Sequence, residues 1–239
     1  MKKGKMRKFM NIVITGTYKG IGKKLAEHFL DKGDFVCGCS RHESSIANSN
    51  YRHFIADVTD ETVVNKFARD VKKEVGSVDA LINNAGIASM NHFLMTPLNT
   101  AKNVMNVNYF GSVAMIRAFL NLLKKSEHGR IVNFSTVAVA LSLEGELAYG
   151  SSKAAVEALT RVLAKEISVF GVTVNAVGPT PIHTDLIAKV PEEKLNKILA
   201  AQAIHRFGEV EDIINVIEFY LKPESDFITG QVIYLGGVS

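Results

Sequence analysis

The stretch Asn11-Ile12-Val13-Ile14-Thr15-Gly16-Thr17-Tyr18-Lys19-Gly20-Ile21-Gly22 decides the fold. Residues 11–15 are a short β-branched, apolar run, the signature of a buried strand, and from Gly20 to Leu30 the apolar residues take helical spacing before Lys32-Gly33 closes the segment. Between the two lies a turn rich in glycine. Glycines there let the backbone turn tightly and approach a pyrophosphate, while the new helix offers unpaired N–H groups and a partial positive charge. The spacing is Gly-x-x-x-Gly-x-Gly rather than the commoner Gly-x-Gly-x-x-Gly. Such a turn also serves as a plain strand-to-helix connection, and its place directly after a first strand is what favours a nucleotide.

The same alternation runs along the rest of the chain. Further strand segments are Phe35-Val36-Cys37-Gly38-Cys39, His53-Phe54-Ile55-Ala56, Asp79-Ala80-Leu81-Ile82, 129–134, 171–176 and 231–235, with helix-length segments near 60–75, 97–125, 149–170 and 210–221. Near-continuous apolar strands alternating with amphipathic helices predict a doubly wound α/β fold, a parallel sheet with helices on both faces. Repeats, low-complexity tracts and Pro/Gly/Ser linkers are missing, so residues 11–239 read as a single domain, with a basic flexible tail over 1–10.

At 239 residues, 47% hydrophobic and 22% charged, the chain is long enough to bury a sizeable core. The net charge is +4, and five cations lie in Met1-Lys2-Lys3-Gly4-Lys5-Met6-Arg7-Lys8, so the composition points away from nucleic acid as a partner. That tail leads into a strand rather than into the apolar region of a signal peptide, and no apolar run approaches the ~20 residues of a membrane span. Cys37 and Cys39, two apart on a strand, point to one face as small core fillers, which suits a reducing cytoplasm. The seven histidines show no metal-ligand spacing, so no metal is expected.

Polar residues gather where the strands end. After the second strand stand Ser40-Arg41 in place of the acidic residue that would accept from a ribose 2′-hydroxyl; Arg41, with Lys19 from the glycine turn, is suited to a 2′-phosphate, and the expected cofactor is NADP(H) in preference to NAD(H). Asp57-Val58 follows the third strand, its carboxylate placed to accept from an adenine amino group, and Asn83-Asn84-Ala85-Gly86 follows the fourth, with Asn83 able to bridge strands through both donor and acceptor. As turn residues these would be unremarkable. Tyr149 and Lys153 are four apart on a helix and share a face. Lowering a phenol by about two units takes roughly 3 kcal/mol. A cation about 5 Å away at an effective dielectric of about 20 supplies about that much.

Together these pieces resemble the short-chain dehydrogenases/reductases in their roughly 250-residue form. The match rests on Thr15-Gly16-x-x-x-Gly20-Ile21-Gly22, Asp57, Asn83-Asn84-Ala85-Gly86, Asn106-Val107-Asn108, Tyr149-x-x-x-Lys153, Asn175-Ala176-Val177-x-Pro179, Arg206-Phe207-Gly208-x-Val210-Glu211-Asp212-Ile213 and Thr229-Gly230-Gln231, in the family's order. The resemblance implies a Rossmann-type sheet. It also implies that Tyr149 donates a proton to a substrate carbonyl while the nicotinamide delivers hydride, that Lys153 lowers the tyrosine's pKa and holds the nicotinamide ribose, and that Asn108 uses its backbone to hold a water on the proton relay.

It further implies cofactor contacts at Gly16, Tyr18, Lys19, Gly20, Ile21, Gly22, Ser40, Arg41, Asp57, Val58, Asn84, Ala85 and Gly86. Others fall at Tyr149 and Lys153, at Pro179 and Ile182 flanking the carboxamide, and at Thr184. A substrate loop should run over about 180–205, where His183 and His205 either line the pocket or take surface or packing roles. The helices near 97–125 and 149–170 resemble those that pair across a homotetramer or homodimer interface.

Two positions depart from the family's pattern. Thr180 stands where glycine is usual after the proline, and the family's serine thirteen residues before the tyrosine is Thr136, with Ser135 beside it. Strand neighbours point to opposite faces, so the carbonyl-orienting hydrogen bond is assigned to Thr136, with Ser135 as the fallback. The activity implied is reduction of a small-molecule carbonyl to a secondary alcohol, or the reverse. Within that class the nearest likeness is to 3-oxoacyl-carrier-protein reductases, which hold the acidic carrier with basic side chains; Glu127 and Phe170 stand at the two expected places and argue for another substrate. A nucleotide sensor or scaffold of the same fold, without catalysis, is the competing class.

Overall fold

The computed structural model describes residues 9–184, 187 and 190–238. The tail over 1–8 and part of the expected substrate loop lie outside the described residues. In chain order the elements are β1 Asn11–Thr15, α1 Gly20–Asp31, β2 Phe35–Ser40, β3 Tyr51–Ile55, α2 Glu61–Val75, β4 Ala80–Asn83, α3 Leu98–Met105 and α4 Gly111–Leu123. They continue with β5 Gly129–Phe134, a short α5 Val137–Ala140, α6 Leu147–Glu166, β6 Val172–Gly178, α7 Glu192–Ala200, α8 Val210–Leu221 and β7 Val232–Tyr234.

All seven strands form one parallel sheet in the order β3-β2-β1-β4-β5-β6-β7. The order reverses between β1 and β4, and in such sheets a ligand crevice opens outside the carboxyl ends of the strands at that point. Alternate residues of each strand feed opposite cores. Val13, Cys37, Cys39, Leu81, Ile131 and Val174 pack with Val64 and Phe67 of α2 and Met115 and Phe119 of α4. Ile12, Ile14, Val36, Ile82 and Val132 pack with Leu25 and Phe29 of α1 and Ile213 and Ile217 of α8. Every strand residue from Ile12 to Thr15 and throughout β4, β5 and β6 is buried, as a sheet covered on both faces requires. Cys37 and Cys39 are free, buried and on one face, as their spacing predicts.

Local chemistry sets the helix ends. Asp60 caps α2 by accepting from Thr62 N at 2.9 Å and Val63 N at 3.1 Å, and Glu209 and Asp212 form a reciprocal box at the start of α8. The segment read as one helix over 97–125 is interrupted: Asn106–Phe110 takes a π turn, with Gly111 N bonded to Asn106 O, between α3 and α4. The sequence reading does not include α7, an amphipathic helix of nine residues inside the expected substrate loop, or the single turn of α5.

Candidate active site

At the carboxyl end of β1 the chain turns through Gly16, whose φ of 77° is in the left-handed region, and its N–H donates to Cys39 O at 2.7 Å. A methyl group on Gly22 would stand 2.3 Å from Gly16 O and 2.4 Å from Asn84 Nδ2, so only glycine fits there. A methyl on Gly20 would meet nothing within 4 Å, which leaves open space over the turn. Among the described residues the N-cap position of α1 makes no side-chain cap hydrogen bond, and its acidic-free first turn presents backbone N–H groups to that space. This cradle fits a pyrophosphate. Tyr18, Lys19 and Gly20 are exposed beside it, Ile21 is half-buried, and the Tyr18 ring lies 5.1 Å from that of His42.

Asn84 is locked onto the end of β1. Its Nδ2 donates to Thr15 O at 2.8 Å, while Thr15 Oγ1 accepts from Asn84 N at 3.0 Å and Ala85 N at 2.9 Å. Asn83 bridges to Asn133 Oδ1 at 2.9 Å through its donor only; its own Oδ1 is buried without a partner among the described residues. Asp57 Oδ1 accepts from the N–H and hydroxyl of Thr59 at 2.9 and 2.7 Å, fixing the carboxylate at the end of β3, next to buried Val58. Ser40 donates to His42 O at 2.5 Å, and Arg41 is exposed at the rim beside it. Gly86 is exposed; a methyl there would stand 3.2 Å from Asn108 Oδ1 and 3.5 Å from Lys153 Nζ.

At the end of β5 the two candidate hydroxyls part. Thr136 has extended backbone, accepts from Ala138 N at 3.3 Å, and its hydroxyl acts on the Tyr149 phenol in the sense that favours ionisation. Ser135 points the other way and donates to buried Glu157 Oε1 at 2.5 Å, where Tyr234 also donates and Arg161 pairs with Oε2 at 3.2 Å. The pleat separates the two residues as the sequence reading required.

Lys153, on α6, is 5% exposed and its ammonium donates to Phe134 O at 2.8 Å; it lies 5.9 Å from the centre of the Tyr149 ring. Asn108 sits in the π turn, where its side chain accepts from Ile87 N at 2.9 Å and donates to Ile87 O and Ser152 Oγ, both at 2.9 Å. Ser152 in turn donates to Tyr149 O at 2.7 Å, and Asn108 O accepts from Ser112 Oγ at 2.8 Å. One network thus joins the π turn to the turn of α6 that carries Tyr149.

The electrostatics differ from what spacing alone suggests. Burial pushes the Tyr149 phenol up to about 12, with Glu146 adding to the rise and Thr136 opposing it, and burial alone pushes Lys153 down to about 8. Desolvation, which penalises both charged forms, is the leading cause at each. In the protein alone Tyr149 is therefore a protonated phenol at neutral pH.

The loop beyond β6 begins with half-buried Pro179. Thr180 is buried and hydrogen-bonds Gln202 beyond α7, so the residue that replaces glycine ties down the far end of the loop. Ile182 bridges to Gly208, and Thr184 donates back to Ile182 O at 3.3 Å. His183 and His205 are both exposed: His183 stacks on Phe207 with 4.1 Å between centroids, and His205 Nδ1 donates to Leu199 O at 2.9 Å. Residues the sequence reading did not single out are Glu146, Ser152 and Lys194. Glu146 was legible as a carboxylate three residues before Tyr149 on the same helix face. No group of three metal-ligating side chains occurs among the described residues.

A Rossmann-type sheet with a glycine cradle, and a tyrosine, lysine, asparagine and hydroxyl gathered beside it, defines an oxidoreductase dependent on a nicotinamide dinucleotide. Residues 16–238 match the family described as enoyl-(acyl carrier protein) reductase, and the chain belongs to the short-chain dehydrogenases/reductases. Among curated relatives it is 29% identical over 231 residues to the 3-oxoacyl-acyl-carrier-protein reductase FabG of Haemophilus influenzae, covering 94% of this chain and 96% of the relative. It is 31% identical to the hydroxy(phenyl)methyl-succinyl-CoA dehydrogenase subunit BbsD of Thauera aromatica, covering 94% of each. Among solved structures it is similar to the ligand-free aldohexose dehydrogenase of Thermoplasma acidophilum, with a TM-score of 0.87 and 29% identity over 96% of this chain and 94% of the other. ElxO with NADP bound gives a TM-score of 0.86 and 31% identity over 95% and 97%.

Proposed function

We propose that the chain is an NADPH-preferring reductase of a small-molecule ketone or aldehyde. The observation that carries this reading is the cluster of Thr136, Tyr149, Lys153 and Asn108, in which the Lys153 ammonium lies 5.9 Å from the centre of the Tyr149 ring and Asn108 is tied through Ser152 to Tyr149 O. Bound NADPH would supply hydride to the carbonyl carbon. Thr136 and Tyr149 take the carbonyl oxygen between their hydroxyls, which polarises it and fixes which face meets the cofactor. Tyr149 passes its proton to that oxygen as negative charge develops there, and its protonated state at neutral pH is the one that donates. Lys153 stands behind the tyrosine as the cation that stabilises the resulting phenolate and anchors the nicotinamide ribose. Asn108, tied through Ser152 to the Tyr149 carbonyl, keeps this turn of α6 in place.

The glycine cradle, Tyr18, Lys19, Ser40, Arg41, Asp57, Val58 and 84–86 are proposed to hold the adenosine and pyrophosphate, with Pro179, Ile182 and Thr184 at the nicotinamide. Arg41 and Lys19 support the preference for the 2′-phosphate, and one solved neighbour carries NADP. A carrier-bound 3-oxoacyl substrate is the second reading: curated relatives are named for it, and Lys124 lies 3.7 Å over the Phe170 ring, near Lys125, so cations stand beside the non-basic Glu127 and Phe170. Exposed Phe93, Leu94, Met95, Leu98 and Phe110 around α3 support a homodimer or homotetramer, and the buried reduced thiols suit the cytoplasm.

The test is loss of NADPH absorbance with a panel of carbonyl compounds, in wild type and Tyr149→Phe. The variant should lose turnover and keep cofactor binding. Turnover unchanged by Tyr149→Phe would end the mechanism, and NADPH binding with no compound reduced would favour a sensor.

A further inference from the structure

We propose that Glu146 is a substrate-recognising group of this active site and that the substrate it selects carries a hydroxyl on the carbon next to the reacting carbonyl. The inference rests on the carbonyl-reductase reading and gives it a substrate class.

Glu146 is 8% exposed, and its Oε2 is buried without a hydrogen-bond partner among the described residues. Buried polar atoms are nearly always paired, so an unpaired carboxyl oxygen asks for a partner from outside the chain. Its backbone is fully used: Glu146 N donates to Leu143 O at 3.2 Å, and its carbonyl accepts from Gly150 N at 2.6 Å to start α6. The side chain makes no cap hydrogen bond. It has no structural duty in the helix it begins.

Glu146 stands at the start of the helix that carries the chemistry. Glu146 and Tyr149 are one turn apart on one helix face, and the charge of Glu146 is felt at the Tyr149 phenol. Lys194 Nζ of α7 lies 3.4 Å from the site of a methyl on the neighbouring Gly145, and its charge reaches the Glu146 carboxyl. The charged group acting on the carboxyl is Lys194 from the substrate loop, and the carboxyl in turn acts on Tyr149. Burial pushes Glu146 up to about 7 and Lys194 opposes the shift, so acid and carboxylate are both populated near neutrality.

With the carbonyl oxygen between Thr136 and Tyr149, a hydroxyl on the adjacent carbon reaches back one helical turn to donate to Oε2. A second anion on the substrate would meet repulsion there, and Lys194 already supplies the cation that an amine would duplicate. The methylene beside the carbonyl of a 3-oxoacyl chain would leave Oε2 unpaired, at a cost in selectivity.

The test compares NADPH-dependent reduction of acetoin with that of butanone, and of lactaldehyde with that of propanal; each pair differs by one vicinal hydroxyl. The full chain is used as wild type, Glu146→Gln and Glu146→Leu, from about pH 6 to about pH 8.5, a range that brackets the midpoint expected for the carboxyl. Wild type should favour the hydroxylated member in kcat/KM by roughly tenfold or more. That ratio should rise with pH through about 7 as the carboxylate, the stronger acceptor, forms. Glu146→Gln should keep part of the preference, now flat with pH, because its amide oxygen still accepts; Glu146→Leu should bring the ratio near one. Equal kcat/KM for both members in wild type, or an unchanged ratio in either variant, overturns the inference alone. No turnover of any of the four compounds by wild type that binds NADPH overturns the carbonyl-reductase reading and this inference with it. If Glu146→Leu fails to fold, the pH dependence of the ratio in wild type against Glu146→Gln decides.

Discussion

Replacing Gly22 by alanine puts a methyl carbon 2.3 Å from Gly16 O, 2.4 Å from Asn84 Nδ2 and 2.9 Å from Gly16 C. Neither neighbour can give way cheaply. Gly16 is held by its N–H bond to Cys39 O at 2.7 Å, and Asn84 by three bonds to Thr15 and the turn, the tightest from Nδ2 to Thr15 O at 2.8 Å. An ordinary contact needs roughly 1 Å more, so backbone must move, and overpacking of this kind costs about 3 kcal/mol. For a domain of this size that lowers the melting temperature by roughly 6–12 °C.

Gly20→Ala supplies the contrast. Its φ of 60° strains any side chain, but the methyl meets nothing within 4 Å. The cost is about 1–2 kcal/mol, roughly 2–8 °C. Because the open space over Gly20 is where a pyrophosphate would lie, that variant should lose NADPH affinity more than stability. The assays are thermal unfolding without nucleotide and titration of NADPH by fluorescence. A Gly22→Ala melting point unchanged from wild type, or Gly20→Ala the less stable of the two, would refute the reasoning from the packed turn.

Arg41→Asp should cut the preference for NADPH over NADH by roughly tenfold, read from the two dissociation constants; equal affinities in wild type would remove the role given to Arg41. Thr136→Val should lower kcat by roughly 100-fold while Thr136→Ser restores most of it. Ser135→Ala should instead cost about 1–3 kcal/mol of stability through Glu157, and the reverse pattern would move the carbonyl-orienting role to Ser135. Stability should also depend on pH at Glu146. Its folded pKa, about 7, lies above the usual 4.5, so the folded state holds the extra proton, and stability present below pH 4.5 is lost as pH rises through 7. The loss is about 3 kcal/mol, so the melting temperature of Glu146→Gln should gain on wild type by several degrees between about pH 5 and about pH 8; a gap that stays constant with pH would show that the carboxyl is not buried as described.

The sheet was readable because its strands are buried on both faces and announce themselves as continuous apolar runs. The glycine turn was readable because backbone geometry leaves no alternative to Gly22. Helix bounds came within a few residues, and the strand pleat separated Thr136 from Ser135 without coordinates. Desolvation was not readable: spacing gave the Tyr149–Lys153 pair its Coulomb attraction, but the burial that moves both groups the opposite way depends on what packs around them. Thr180 was visible only as a departure from glycine, and its bond to Gln202 depends on α7, whose amphipathic pattern sat inside a segment read as loop. Asn84 read as a cofactor contact, and its lock onto Thr15 needs the register of β1 against β4. Glu146 was in plain view beside Tyr149, and what it lacks, a partner, can be seen only in three dimensions.

The π turn at Asn106–Phe110 makes α3 and α4 a single rod with one surplus residue in its middle. Each helical residue advances about 100°, so the surplus shifts the phase of everything before it against everything after. That lets the first half of the rod pack on α6 while the second packs on α2 and the sheet, and it places Asn108 at the seam. The feature the segment must keep is therefore its length. Most substitutions there alter one contact, whereas deleting one residue would heal the rod into an unbroken α-helix, turn α3 off α6 and carry the Asn108–Ser152 link away with it.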